Sequence, residues 1–230
     1  MFKTTKLKKM DKKTKFFIIA SLLIFLFVAI AVPVTLIYGS RATRLDNSPY
    51  PYWMHIVSFT LLSAIFMGLV AGVTGFTTLF AKMRGIPVPG KKAIQIWYLA
   101  ASTTSMITCL TVLLYLAPMR VARGGNYFDP LLETMFFLHF LNPVLSAITY
   151  IFTMDKIKIN WKKRILASLP FVIYAAVYAT CVIFLKIWPD FYGLTFDGRY
   201  YLVPFVFIGF FALSYGISSG LIKLRDVLQK

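Results

Sequence analysis

The feature of this chain that most constrains its fold is a series of six apolar segments. A hydrocarbon core about 30 Å thick requires roughly 20 helical residues, at a rise of about 1.5 Å per residue. All six segments reach that length: Phe16–Tyr38, Trp53–Ala81, Ile94–Ala117, Pro130–Met154, Ile165–Leu185 and Tyr200–Ile222. The sequence therefore predicts an all-α membrane protein, a bundle of six transmembrane helices that occupies residues 16–222.

The composition supports a membrane protein and argues against a soluble protein that binds nucleic acid. The 230 residues are 59% hydrophobic, above the roughly 45–50% of soluble domains. The net charge of +17 would suggest a nucleic-acid partner in a soluble protein. Here the lysines and arginines lie between the apolar segments, where they set the orientation of the helices. We therefore expect membrane lipids as partners, and no nucleic acid.

The distribution of basic residues also predicts the topology. Nineteen of the 25 lysines and arginines fall in the two ends of the chain and in the second and fourth loops. Such an excess marks the cytoplasmic side, so residues 1–15 and 223–230 are predicted to be cytoplasmic tails of a multi-pass protein of the cytoplasmic membrane. The lysine-rich start is also typical of a signal peptide, but the apolar stretch continues to Tyr38, which favours an uncleaved anchor.

Small residues repeat at four-residue spacing in two of the predicted helices. They are Gly68 and Gly72 in the second helix and Gly216 and Gly220 in the sixth. This spacing allows the backbones of two helices to approach closely. The contact can lie inside the bundle, or it can join the chain to a second copy or to a partner helix.

Polar residues follow one face of the third and fourth helices, at the helical period. The stripe on the third helix is Thr104, Thr108 and Thr111, and that on the fourth is His139, Asn142 and Ser146. Hydroxyls in helices can bond to carbonyls of their own helix, which would make these residues structural. The alternative is that Thr104, Thr111, Asn142 and Ser146 line a polar cavity.

Thr108 and His139 are predicted to lie at the same depth, slightly to the outer side of the midplane, by counting from the middle of each segment. Pro143 has no N–H to bond the carbonyl of His139, so a bend in the fourth helix is expected there. If the two helices face one another, the hydroxyl and the imidazole can act as a nucleophile and its base.

A further group of residues lies in the last outer loop, at Trp188, Asp190 and Tyr192. Aromatic rings beside a proline, an aspartate and a glycine predict a tight turn at the membrane interface, where tryptophan and tyrosine are enriched. We expect this turn either to anchor the chain in the aromatic belt or to lie over the outer mouth of the bundle.

The sequence His139-Phe-Leu-Asn-Pro143, preceded by a threonine-rich helix, resembles the superfamily of the androgen-induced membrane threonine hydrolases, through its bacterial six-span relatives. The resemblance covers roughly residues 95–215 and includes residues 188–193. It implies an intramembrane threonine nucleophile and a histidine base that act on esters of fatty-acid-derived lipids. His139 matches the histidine of that pattern, while Thr103, Thr104 and Thr108 compete for the threonine.

Three functions follow from these features. The first is a hydrolase of lipid esters that uses Thr108 and His139. The second is a small permease or lipid-handling protein that uses the same polar stripes as a pathway, and the third is a non-catalytic scaffold. No cofactor and no metal site are expected, because the cysteines and histidines do not occur at ligand spacing.

Overall fold

The computed structural model describes residues 10–40, 44 and 51–229, and it confirms a bundle of six membrane-spanning helices. The helices are α1 (Lys12–Tyr38), α2 (Phe59–Met83), α3 (Lys91–Ala122), α4 (Thr134–Thr153), α5 (Trp161–Phe184) and α6 (Tyr200–Leu228). Because six is even, α1 begins and α6 ends at the same face of the bundle. We call this the terminal face, and the opposite one the distal face.

Polar caps set the start of three helices. Asp11, Ser58 and Asn160 each accept a hydrogen bond from the backbone N–H three residues later, and such caps satisfy N–H groups that have no partner inside a helix. The cap at Ser58 explains why the second helix begins later than the sequence predicts. Residues Tyr52–Val57 form a separate 3-10 helix instead.

Three of the helices contain a π-helical turn. The turns are Val112–Leu116 in α3, Phe137–Leu141 in α4 and Thr180–Phe184 at the end of α5. The turn in α4 ends two residues before Pro143, which lacks the N–H that a regular α-helix needs at that position. The bend expected at Pro143 stays a prediction.

Helix α3 is the centre of the bundle and contacts α2, α4, α5 and α6, while α1 packs mainly against α2 and α4. The main core cluster draws residues from all six helices, among them Ile24, Met67, Leu99, Tyr150 and Leu221. Helix α6 is the least buried of the six. Most of its surface is therefore left to the lipid.

The glycines of α2 pack against α1 of the same chain. A Cβ added at Gly68 or at Gly72 would lie 2.7 Å from a side-chain carbon of α1, on Val28 and on Phe25 respectively. The small-residue face of α2 thus serves the α1–α2 contact. A Cβ at Gly216 or at Gly220 would meet no atom of the described residues within 4 Å, so a contact with a second copy through α6 stays a prediction.

The last helix continues past the predicted end of its span and brings an arginine into the core. Arg225 is fully buried. Its guanidinium donates to the Tyr150 hydroxyl at 3.3 Å and to the Ile157 carbonyl at 3.2 Å, and it pairs with Asp226 at 2.7 Å. These partners satisfy a charge that would otherwise be costly to bury, and they tie the end of α6 to α4.

Candidate functional site

The structure gives Thr108 and His139 separate partners. The Thr108 hydroxyl lies 2.7 Å from the Ser63 hydroxyl and 3.4 Å from the Thr104 carbonyl. His139 Nδ1 lies 2.5 Å from the Pro130 carbonyl. Over residues 51–229, where all of these side chains are described, no hydrogen bond joins Thr108 to His139.

These contacts define the chemistry that is available at each residue. A carbonyl oxygen only accepts, so His139 Nδ1 donates to Pro130 and the other ring nitrogen is left as the basic one. A threonine nucleophile needs a base within hydrogen-bond reach, and the group within reach of Thr108 is another hydroxyl. The arrangement seen here is a Ser63–Thr108 pair that links α2 to α3.

Most hydroxyls of the two polar stripes bond to their own helix. Thr104 donates to the Ala101 carbonyl at 2.9 Å, and Ser146 donates to the Pro143 carbonyl at 2.8 Å. Thr111 is only half-buried. These bonds match the structural alternative for hydroxyls in helices.

Asn142 differs from the rest of its stripe. Its side chain is buried, and neither its amide oxygen nor its amide nitrogen has a hydrogen-bond partner in the described part of the chain. The Thr103 hydroxyl on α3 is also buried without a partner. Buried polar groups nearly always find partners, so the interior of the bundle retains hydrogen-bonding capacity at these two residues.

An apolar groove of about 280 Å³ runs between α2 and α5, with α3 as its floor. Its polar members are the hydroxyls of Ser63 and Thr104, and the rest of its wall is aliphatic and aromatic. The lining residues are Phe59, Leu62, Ser63, Phe66, Thr104, Pro170, Ile173, Tyr174, Val177 and Trp188. Of the four residues predicted to line a polar cavity, Thr104 lies on this groove.

Two tyrosines at the distal end of the groove form hydrogen bonds with the backbone at the start of α2. The Tyr192 hydroxyl accepts a hydrogen bond of 2.9 Å from the backbone N–H of Phe59, the first residue of α2. The Tyr174 hydroxyl donates to the Val57 carbonyl, also at 2.9 Å. Burial raises the pKa of the Tyr192 phenol, which keeps this hydroxyl neutral. The start of α2 is thereby tied both to α5 and to the last distal loop.

The loop that contains Trp188, Asp190 and Tyr192 is held as a compact turn. The carboxylate of Asp190 accepts hydrogen bonds of 2.8 Å from the backbone N–H groups of Leu194 and Thr195. Tyr192 reaches α2, as described above, and Trp188 lines the groove. This turn therefore lies at the distal end of the groove that also contains Thr104.

Sequence reasoning missed Ser63 and Tyr174, which belong to this groove. Ser63 lies between Leu62 and Ala64, and nothing in the sequence distinguishes it from a structural serine. Tyr174 had a usable signal, since Phe171, Tyr174 and Tyr178 form an aromatic stripe at helical spacing on α5, which is the pattern of one helix face.

Comparison of the chain with protein-family models, with curated proteins and with solved structures found no match. The resemblance to the threonine hydrolase superfamily stays a prediction that rests on residues 139–143 and on the threonines of α3.

Proposed function

We propose that this protein handles membrane lipid, and that it binds one acyl chain in the groove between α2 and α5. The observation that carries the proposal is the groove itself, an apolar channel at the lipid-facing surface with an aromatic distal end. Leu62, Ile173 and Val177 line it and are exposed at that surface. A chain can therefore enter from the side, directly from the bilayer.

The energetics of such a site differ from those of a soluble lipid carrier. Lipid tails are as apolar as leucine, so moving a chain from the bilayer into the groove yields little hydrophobic free energy. Selectivity must come from the shape of the groove and from its ends. Tyr174 and Trp188 close the distal end, and the depth at which they lie determines where a bound chain stops.

The hydroxyls at the floor of the groove fit an acyl-chain binding site better than a catalytic site. The Ser63 hydroxyl lies 3.0 Å from the Thr60 carbonyl and 2.7 Å from the Thr108 hydroxyl, and Thr104 donates to Ala101. Their protons are used within the protein, so they offer no free donor to an ester. The hydrolase hypothesis would require the Thr108 hydroxyl to exchange its hydrogen bond with Ser63 for one with His139.

The excess of lysine and arginine in the segments at the terminal face supports the placement of that face in the cytoplasm. The groove, which lies toward the distal face, would then draw its chain from the outer leaflet. A phospholipid of that leaflet is the expected ligand.

Photo-crosslinking tests the proposal. The purified protein is reconstituted with a phospholipid that carries a diazirine in the middle of one acyl chain, and the crosslinked residues are mapped by mass spectrometry. We expect crosslinks to concentrate on Leu62, Ile173 and Val177. Val177→Trp fills the groove and should lower the yield at the remaining two residues about tenfold, equivalent to about 1.4 kcal/mol of binding free energy.

The matched control is Ile208→Trp, because Ile208 is an exposed aliphatic residue of α6 outside the groove. This change should leave the crosslinks unaltered. Crosslinks spread evenly over all lipid-facing helices would contradict the proposal and favour a scaffold. Labelling of wild-type protein by a fluorophosphonate, lost in both Thr108→Ala and His139→Ala, would replace it with the hydrolase.

A further inference from the structure

A second cavity, of about 340 Å³, lies at the terminal face, where the ends of α1, α2, α3 and α4 meet. Its wall combines lysines and carboxylates with threonines, an amide and several apolar side chains. The lining residues are Asp11, Lys13, Thr14, Phe17, Thr78, Lys82, Val88, Lys91, Ile94, Gln95, Thr153, Met154 and Asp155. Because four helix ends surround it, the cavity lies at the depth of the lipid headgroups rather than of the tails.

The charges of this cavity are only partly compensated. Asp155 pairs with Lys91 at 2.5 Å and lies 3.8 Å from Lys13, and Asp11 caps α1 through Thr14. Lys82 acts on Asp11 only at longer range, and its ammonium group has no hydrogen-bond or ion-pair partner among the described residues. Three lysines face two carboxylates, so the cavity keeps one positive charge, and Lys82 is the cation free to bind an anion.

The second feature is a buried amide that lacks a partner. Gln95 lines the cavity and is only 1% exposed, yet its Oε1 has no hydrogen-bond partner in the described chain. A buried acceptor without a donor is unfavourable, and this one borders a space large enough for a small ligand. The cavity therefore offers an acceptor for an N–H or O–H group of a ligand, as well as a cation for an anion.

We propose that this cavity binds the headgroup of a phospholipid, with the phosphate at Lys82 and a headgroup N–H or O–H donating to Gln95 Oε1. Phosphoethanolamine and phosphoglycerol headgroups both combine these two groups. The apolar side chains of Phe17, Ile94 and Met154 supply a surface for the start of the acyl chains. This site is independent of the groove between α2 and α5, which lies toward the other face.

The test is native mass spectrometry of the full-length protein in a maltoside detergent, titrated with phosphatidylethanolamine or with phosphatidylglycerol. We expect wild-type protein to retain one lipid. Lys82→Gln and Gln95→Leu should each weaken retention about tenfold, since each removes one charge-assisted or buried hydrogen bond. Lys82→Arg keeps the cation and should retain the lipid.

Three controls make the result decisive. Lys162→Gln removes an exposed lysine of α5 that does not line the cavity, and retention should not change. Gln95→Leu should not lower the unfolding temperature of lipid-free protein, because it removes an unpartnered acceptor. Inorganic phosphate at the same concentrations should not displace the lipid.

Equal losses in Lys162→Gln and Lys82→Gln would show a general charge effect and overturn the proposal. Unchanged retention in both Lys82→Gln and Gln95→Leu would overturn it as well. Binding of inorganic phosphate with displacement of the lipid would assign the cavity to a free anion and remove the lipid from the proposal.

Discussion

Two sites differ in whether their polar atoms have partners within the protein. One is the groove between α2 and α5, and the other is the cavity at the terminal face. In the groove, the hydroxyls of Ser63, Thr104 and Tyr192 all have partners within the protein. In the cavity, Gln95 Oε1 has no hydrogen-bond partner and the Lys82 ammonium has no close partner among the described residues. Paired polar atoms hold helices together, whereas unpaired ones are free for a ligand. We therefore expect the loss of a hydroxyl at the groove to reduce stability, and the loss of a polar group of the cavity to reduce binding.

Gly72→Val should have the largest effect, because α2 lines both sites and packs closely against α1 at this glycine. The new side chain would be forced against Phe25, and overpacking of this kind typically costs about 1–3 kcal/mol. Thermal unfolding in detergent should show the loss, and both the acyl-chain crosslinks and lipid retention should fall with it.

Gly216→Val is the control, since a side chain there meets nothing within 4 Å in the single chain. An unchanged unfolding temperature is expected if the chain acts as a monomer. A loss of stability as large as that of Gly72→Val would instead indicate that the α6 glycines pack against a second copy, and crosslinking of subunits would confirm it.

Tyr192→Phe tests the groove alone. It removes the acceptor for the Phe59 N–H and should lower the free energy of unfolding by about 1 kcal/mol, with fewer crosslinks at Leu62 and no change in lipid retention at the terminal face. Tyr201→Phe, at an exposed tyrosine, should be neutral. If Tyr192→Phe reduced only headgroup retention, the separation of the two sites would be wrong.

The smallest expected effect is a dependence of stability on pH. His55 lies in the 3-10 helix before α2, where its ring stacks on that of Phe191 in the last distal loop with 4.9 Å between centroids, and burial lowers its pKa below the ordinary value of 6.5. As the pH falls, His55 is therefore protonated in the unfolded chain before it is protonated in the folded chain. Stability should therefore be full above pH 6.5 and decline as the pH falls from there toward the folded-state pKa.

Unfolding temperatures measured between pH 7.5 and 5 test this, with His55→Phe as the comparison. The variant keeps the stacked ring and loses the titrating group, so its curve should be flatter over this interval. Parallel curves for the two proteins would show that another group is responsible. Headgroup retention, which involves the opposite face, should not follow His55.

Some of this structure was determined by the sequence alone. In a bilayer every backbone N–H and C=O must be paired within the protein, so an apolar segment of about 20 residues has to be a helix. The number of helices follows directly from the segments. Their starts are less certain because they depend on local caps, as Ser58 shows by ending the preceding 3-10 helix and beginning α2 at Phe59.

The sites were decided by tertiary structure. Counting residues predicts the depth of Thr108 but not its direction around α3, and α3 has four neighbouring helices. Rotation of α3 placed this hydroxyl against Ser63 of α2. Lys82 and Gln95 are close in sequence, but Lys13 and Asp155 join them only because α1 begins and α4 ends at the same face. Sequence patterns record which residues are polar and at what depth, whereas the partner of each one depends on how the helices are rotated and packed.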